Sequence, residues 1–450
     1  MKARSLIMIA GAAAVLVSAT WWAARPAPRE WSTDSEEALS AFLAGREATQ
    51  KLYFLEAIEH MRTALKHDED FVAARLGLAD ALASAGQGDA ARAERDRALE
   101  ADASSLTPRE RRGVELARLR RDGGQREVLA LLEKSVQEFP GDPTLTRSLA
   151  SMYYGRGDAE AAVAWFEKTL ELAPNDGLSY NTLGYIEMGR GDFAAAEANL
   201  KRYAFIAPDQ ANPHDSLGEL YTITGRWNEA IAEFRRALEV NPRFFPAWEH
   251  LARLHVLEGN EPAALEATER FCGLAGLGEA ECEVRRAVMR AWVAWIRKDD
   301  AALTAEVEAL RTAPGYNDVL MLRHFAALGA REFESAVEIE EKLEASLKKA
   351  GAEEKGPAQG ALKELLVAAR LVSSGDFATA VNSAAAADRL FNYNADGGQG
   401  VLKLIARALH VEALIASGRL SEARSVLASL EAVNPRFPGV NELRAGVRGR

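Results

Sequence analysis

At 450 residues the chain is too long for one ordinary hydrophobic core, which leaves two to four globular domains or a single repeat stack. Its 48% hydrophobic and 27% charged residues exclude extended disorder, and a formal net charge of −11 argues against a polyanion binder, so no nucleic-acid partner is expected. Two cysteines, Cys272 and Cys282, exclude a disulfide framework and a cysteine zinc site, and no metal or other cofactor is expected.

Lys2 and Arg4 precede an uncharged stretch, residues 5–24, in the charged-then-apolar order of an export signal. Val17, Ser18 and Ala19 have the small-residue spacing of a cleavage site. The stretch is also long enough to span a bilayer, with Trp21 and Trp22 at its far interface, so cleavage and retention as an anchor both fit. Either fate places the rest of the chain in the cell envelope, as a periplasmic or single-pass inner-membrane protein with its folded part outside the cytoplasm. Residues 25–37 read as a linker, opened by the stiff Arg25-Pro26-Ala27-Pro28-Arg29.

From residue 38 the sequence repeats. Leu183, Gly184, Gly191, Phe193, Ala196, Leu200 and Pro208 recur 34 positions later as Leu217, Gly218, Gly225, Trp227, Ala230, Phe234 and Pro242. The frame extends to units starting near Ala38, Val72, Arg109, Pro143, Gly177, Ala211 and Phe245, with one step of 37. Before that third unit, Thr107-Pro108-Arg109-Glu110 predicts a capping box with proline in the first turn. Within a unit, Leu217, Gly218 and Tyr221 form one helical stripe, Gly225-Arg226 breaks it, and Ala230, Phe234, Ala237 and Leu238 form a second. Each unit is therefore two antiparallel helices whose small residues permit close approach, and stacked units bury what one pair cannot.

This pattern of Leu-Gly, Tyr, Gly, aromatic, Ala, Phe, Ala-Leu and Pro resembles the tetratricopeptide repeat, and Trp248 fills the slot where that signature favours Trp. Glu187 and Arg112 depart from it, at slots where Tyr and Trp are usual. The resemblance implies an all-α fold, an α-α superhelix or solenoid of antiparallel helix pairs, following the N-terminal signal or membrane-anchor segment. It also implies a concave groove lined by one face of each first helix. By spacing, that face carries Arg147, Ser151 and Tyr154, then Asn181, Tyr185 and Met188, then Asp215, Glu219 and Thr222, then Glu249, Arg253 and Val256. It runs from basic to acidic with tyrosines between, which suggests a groove for an extended or helical peptide. The family's clamp for a chaperone's C-terminal carboxylate needs Lys, Arg and Asn on this face. Ser151, Thr182, Asn212 and Ser216 stand beside Arg147 instead, so that ligand is not expected.

The regular array spans residues 38–276, and divergent pairs follow at 277–345 and 361–450, separated by a charged, Gly-bearing linker at 346–360. Weaker copies run from Arg285 to Pro314, from Val319 to Leu343, around Gly375-Phe377-Ala380 and around Gly418-Leu420-Ala423. Residues 348–360 and 392–400 read as loops by turn chemistry. Cys272 and Cys282 flank a loop: outside the cytoplasm they can close a small ring, and two buried free thiols fit equally.

No phosphate-binding loop, nucleophile elbow or kinase signature is present, and Gly273 to Gly278 lacks the glycine spacing and preceding strand of a dinucleotide site. His250 and His255 lie five apart, whereas helical metal pairs are three or four apart, and His255 falls in a core slot. The arginines between 109 and 121 are interrupted by Glu110 and Glu115 and read as a solvated face. The chain thus reads as a non-catalytic scaffold that holds a protein or peptide partner, for an envelope assembly, secretion or biogenesis complex. The alternative is a ligand-sensing regulator whose pocket lies among the loops of the C-terminal third.

Overall fold

A computed structural model describes residues 30–310, 317–349, 357–393 and 399–449; the putting together of residues 1–24 as a signal or anchor, and the proline-bearing start of the linker, lie outside them. Among the described residues there are 23 helices and no strand, and no helix is long and apolar enough to cross a membrane. The seven units read from the repeat are pairs α1/α2 (Glu36–Gln50, Phe54–His67), α3/α4 (Val72–Ser84, Gly88–Leu99) and α5/α6 (Pro108–Arg121, Gln125–Glu138). They continue as α7/α8 (Pro143–Gly155, Ala159–Leu172), α9/α10 (Gly177–Arg190, Phe193–Ile206), α11/α12 (Asn212–Ile223, Trp227–Val240) and α13/α14 (Phe245–Leu257, Glu261–Ala275). The divergent part keeps the plan in α15/α16 (Glu279–Ile296, Asp300–Ala309), α17/α18 (Asn317–Gly329, Phe333–Lys349) and α19/α20 (Pro357–Ser374, Phe377–Leu390). A last pair, α21/α22 (Gln399–Ala416, Leu420–Val433), is followed by the single helix α23 (Val440–Arg448). The linker expected at 346–360 is shorter than its composition suggested, because α18 runs to Lys349 and α19 starts at Pro357.

One turn position organises every pair. Eight pairs place Gly there with positive φ, as at Gly157 (φ 79°) and Gly191 (φ 83°), and the following Asp158 or Asp192 caps the second helix. Leu52, Lys298 and Arg331 take the same left-handed conformation at the turns of α1/α2, α15/α16 and α17/α18, where a side chain costs roughly 1 kcal/mol. Replacing Arg331 by Gly is therefore expected to raise the urea midpoint, by about 1 kcal/mol of stability; a lowered midpoint would show that the turn is set by something else.

Within a pair, the first helix approaches the second where glycine removes the side chain. A Cβ added to Gly184 would lie 2.7 Å from Leu200, and one added to Gly218 would enter the ring of Phe234. Leu200 and Phe234 are themselves buried, so neither can move aside. At Gly77, where α3 meets α2 of the preceding pair, the neighbour is the unbranched Met61, whose chain end can yield. Gly218→Ala should destabilise by about 1–3 kcal/mol despite alanine's better helix propensity, and Gly77→Ala by much less. Equal denaturation midpoints for the two variants would contradict this reading of the contact.

The chain divides into two compact units, up to Lys134 and from Ser135 onward, with the boundary inside α6. In the first, residues 30–35 are not a free linker. Trp31 stacks edge-on against Phe42 and Phe71, with ring centroids 4.7 and 6.5 Å away, beneath the guanidinium groups of Arg46 and Arg109. The expected capping box is present: Thr107 N donates to Glu110 Oε2 at 2.9 Å and Glu110 N to Thr107 Oγ1 at 3.3 Å. The other oxygen of Glu110 accepts from Ser32 Oγ at 2.8 Å, which ties the start of the chain to this cap.

In the second unit the stack returns on itself. The turn of α11/α12 meets the loop after α22: Asn434 Nδ2 donates to Thr222 O at 3.4 Å, across 212 residues of sequence, and Arg436 lies over Trp227. Tyr393 meets Phe193 edge-on at 5.1 Å, and Gly400 lies so close to Ile223 that a Cβ would be 2.5 Å from it. Residues 392, 393, 399 and 400, expected in a loop, are thus partly contact points; 394–398 lie outside the described residues.

Candidate functional site

The first-helix face from α7 to α13 carries the residues read as a groove, and the structure shows four of them, Arg147, Tyr185, Asp215 and Glu219, engaged by the next unit. Arg147 pairs with Asp176, whose other oxygen caps α9 by accepting from Ser179 N at 2.9 Å. Tyr185 donates to Glu219, and its oxygen lies 3.2 Å from Ser216 Oγ, within reach of that hydroxyl's proton. Asp215 Oδ1 lies 2.9 Å from His250 Nδ1, and Glu219 Oε1 lies 3.3 Å from His250 Nε2. Glu249 and Arg253 pair at 2.9 Å along α13.

His250 is therefore the hub of a network spanning three units. Burial disfavours its charged form, but the charges of Asp215 and Glu219 and the hydrogen bond from Asp215 outweigh it and raise the imidazole to about 9. Burial, together with the same two carboxylates, pushes the Tyr185 phenol well above its ordinary value, so it remains a donor. For Glu249, burial opposes the charge, while Arg253, His250 and Arg285 hold the carboxyl below the usual range. Sequence reasoning weighed His250 only as half of a metal pair. The signal was its place 35 residues after Asp215, one repeat and one position on, which brings it beside that carboxylate.

Asp215, Glu219 and His250 are close enough to offer three ligands to a metal ion, all within 4.8 Å. Their arrangement speaks for a proton instead: the two carboxylates hold opposite ring nitrogens, and one ion cannot replace both contacts without rebuilding the site. An imidazolium between two carboxylates gives each ring N–H an acceptor.

The other groove residues divide. Met188 is fully buried and belongs to the core, where an apolar thioether gains most, and the Thr222 hydroxyl donates back to Gly218 O at 2.8 Å. Tyr154 is half-buried against the core around Phe166. Ser151 is exposed. Asn181 occupies the helix position that Arg147, Asp215 and Glu249 take in neighbouring units, yet its buried Oδ1 has no hydrogen-bond partner among the described residues. Cys272 and Cys282 are buried and unbridged, and burial, then the hydrogen bond with Cys282, pushes the Cys272 thiol up to about 12.

Further along the same face the character changes from polar to apolar. Val256 and Leu257 of α13 and Met289, Trp292 and Trp295 of α15 face Leu402, Ile405 and Leu409 of α21 and Leu443 of α23 across a cavity of about 540 Å³. Trp295 stacks on Phe325 at 5.0 Å, which fixes that wall.

The pH behaviour of the hub follows from its sign. Because the folded imidazole titrates near 9 and the unfolded one near 6.5, its stabilisation is complete below pH 6.5 and lost as pH rises through about 9. Wild type should lose up to about 3 kcal/mol between pH 6 and pH 9.5, measured by urea unfolding, and His250→Gln should lose markedly less. Parallel profiles for the two would contradict a buried imidazolium.

Sequence profiles described as tetratricopeptide repeat match residues 54–107, and 114–177 with 218–276. No curated protein matches the sequence significantly. Among solved structures, the chain is similar to PilW, a widely conserved type IV pilus biogenesis factor, at 18% identity over 46% of this chain and 94% of that one, with a TM-score of 0.40. A tetratricopeptide repeat protein from Parabacteroides merdae ATCC 43184 is 13% identical over 64% of this chain and 98% of that one, with a TM-score of 0.37. The APC/C hetero-tetramer Cut9-Hcn1 gives 16% identity over 91% of this chain and 76% of that chain, with a TM-score of 0.48. With the repeat profiles falling on helix pairs that keep the 34-residue spacing, the chain carries tetratricopeptide repeats between residues 54 and 276.

Proposed function

We propose that the first-helix face of α7, α9, α11 and α13 holds an extended peptide of a protein partner, in a non-catalytic scaffold. Tetratricopeptide-repeat proteins are generally scaffolds that bind protein partners, which supports the coarse reading. The links between units support the finer one: Tyr185, Glu219, Asp215 and Arg147 are fixed before any ligand arrives, so little side-chain freedom is lost on binding. Charge steering from a basic to an acidic end contributes less than the sequence suggested, because those charges are already paired within the chain.

The observation that carries the proposal is Asn181. On a face where neighbouring groups have found partners, its Oδ1 is a buried acceptor left unused, and such exceptions to polar satisfaction concentrate at functional sites. A backbone N–H of a bound peptide would satisfy it after a small rotation of the amide. The setting we propose is the cell envelope, in an assembly, secretion or biogenesis complex; the Lys2, Arg4 and apolar 5–24 pattern is its support.

A photo-crosslinking residue at the exposed Ser151 should capture one stoichiometric partner, whereas one at Glu171, on the second helix α8, should not. Asn181→Leu should lower capture from Ser151 by about tenfold while leaving urea stability equal or higher, since it removes an unsatisfied polar group. Unchanged capture by that variant, or equal capture from both crosslinker positions, would overturn the groove assignment.

A further inference from the structure

The cavity between α13, α15, α21 and α23 is a different surface from the polar groove, and its chemistry points to a different ligand. In α21 the residues Leu402, Ile405, Leu409 and Ala416 form a second apolar stripe in addition to the core stripe of Leu404, Val411 and Leu414. A helix that packs on one side carries one such stripe. The second stripe faces the cavity, and opposite it stand Trp292 and Trp295, both only half-buried despite their size.

One residue breaks the stripe. Glu412 lies on it, one turn beyond Leu409, and its side chain is accessible from the cavity. Among the described residues it makes no hydrogen bond and no ion pair; Lys298, at the strained turn of α15/α16, is the charge that acts on it from a distance. Burial pushes the Glu412 carboxyl above its ordinary value, and Lys298 opposes that shift only in part. The Glu412 side chain is exposed at the edge of the apolar cavity, where its carboxylate meets the cationic head of any molecule whose apolar body fills the space behind.

Size selects among donors. A volume of about 540 Å³ suits a small ligand, since binding cavities for such molecules run from roughly 300 to 1,000 Å³. We infer that this cavity binds a single-chain amphiphile whose apolar body lies between the Trp292–Trp295 wall and the Leu402–Leu409 stripe and whose protonated amine pairs with Glu412. This goes beyond peptide capture on the polar face, and the two can fail separately.

The test uses the full chain and the fluorescent apolar probe N-phenyl-1-naphthylamine, with dodecylamine, dodecanol and dodecanoate below their micellar concentrations as competitors at pH 7. The expected result is saturable probe binding at one per chain, displaced by dodecylamine at concentrations about tenfold lower than by dodecanoate, the margin one charge-assisted contact provides. Glu412→Gln should keep probe binding and abolish that preference. Ala408→Trp, which fills the space beside Leu409, should remove probe binding with the circular dichroism unchanged. Absence of saturable binding, retention of it by Ala408→Trp, or a preference for any competitor that survives Glu412→Gln would overturn the inference. Because Glu412→Gln removes a charge and no volume, it reports on the head group even if the tryptophan variant fails to fold.

Discussion

The regular array depends on a close contact between the two helices of a pair, at a position mostly held by Gly or Ala. Gly218 lets α11 rest against the ring of Phe234, and Gly184 lets α9 rest against Leu200, so each pair becomes a thin slab with apolar faces on both sides. No slab can bury those faces alone, and stacking is the solution that covers them all. The thinness has a second consequence: side chains one repeat apart come within hydrogen-bonding reach. Tyr185 reaches Glu219 across 34 residues and His250 reaches Asp215 across 35, which converts a packing requirement into a row of cross-linked polar groups.

Local features of the sequence were read well because they recur. The period, the Gly at the turns of the regular pairs and the capping box at Thr107 each follow from short-range backbone chemistry, and each appears where spacing placed it, Leu52 at the first turn excepted. Even the divergent pairs were legible, since Ala302, Phe333, Ala336, Phe377, Leu420 and Ala423 keep enough of the plan to locate them. What could not be read was long-range. Nothing in a repeat frame announces that Asn434 will meet Thr222, or that Tyr393, in a stretch of turn-forming residues, will pack on Phe193. Residues 30–35 were misjudged through their proline-bearing neighbours, when the informative residue was Trp31.

The candidate groove shows the same division. Spacing put Arg147, Tyr185, Asp215, Glu219 and Glu249 on a common face. It did not reveal that they would be paired within the chain, with Asp176, His250, Arg253 or each other, because such pairing depends on distances that periodicity does not contain. Met188, taken for a groove residue, turned inward for the gain of burying a thioether. The face is consequently less a field of free charge than a pre-set surface with exposed Ser151 and the unused acceptor of Asn181 as its open features. Toward α15 it gives way to a cavity walled by tryptophans, and that change exists only because the C-terminal helices come back across the face.

Both the cavity and the limit of the polar groove follow from that return, and disulfide trapping measures it most directly. In a background with Cys272 and Cys282 replaced by Ala, Ile223→Cys and Gly400→Cys place two thiols at the contact where these residues meet. The account predicts near-complete bridging under mild oxidation in the native protein and none in urea, whereas thiols that stay reduced in the native state would show that the C-terminal helices do not close on the α11/α12 turn.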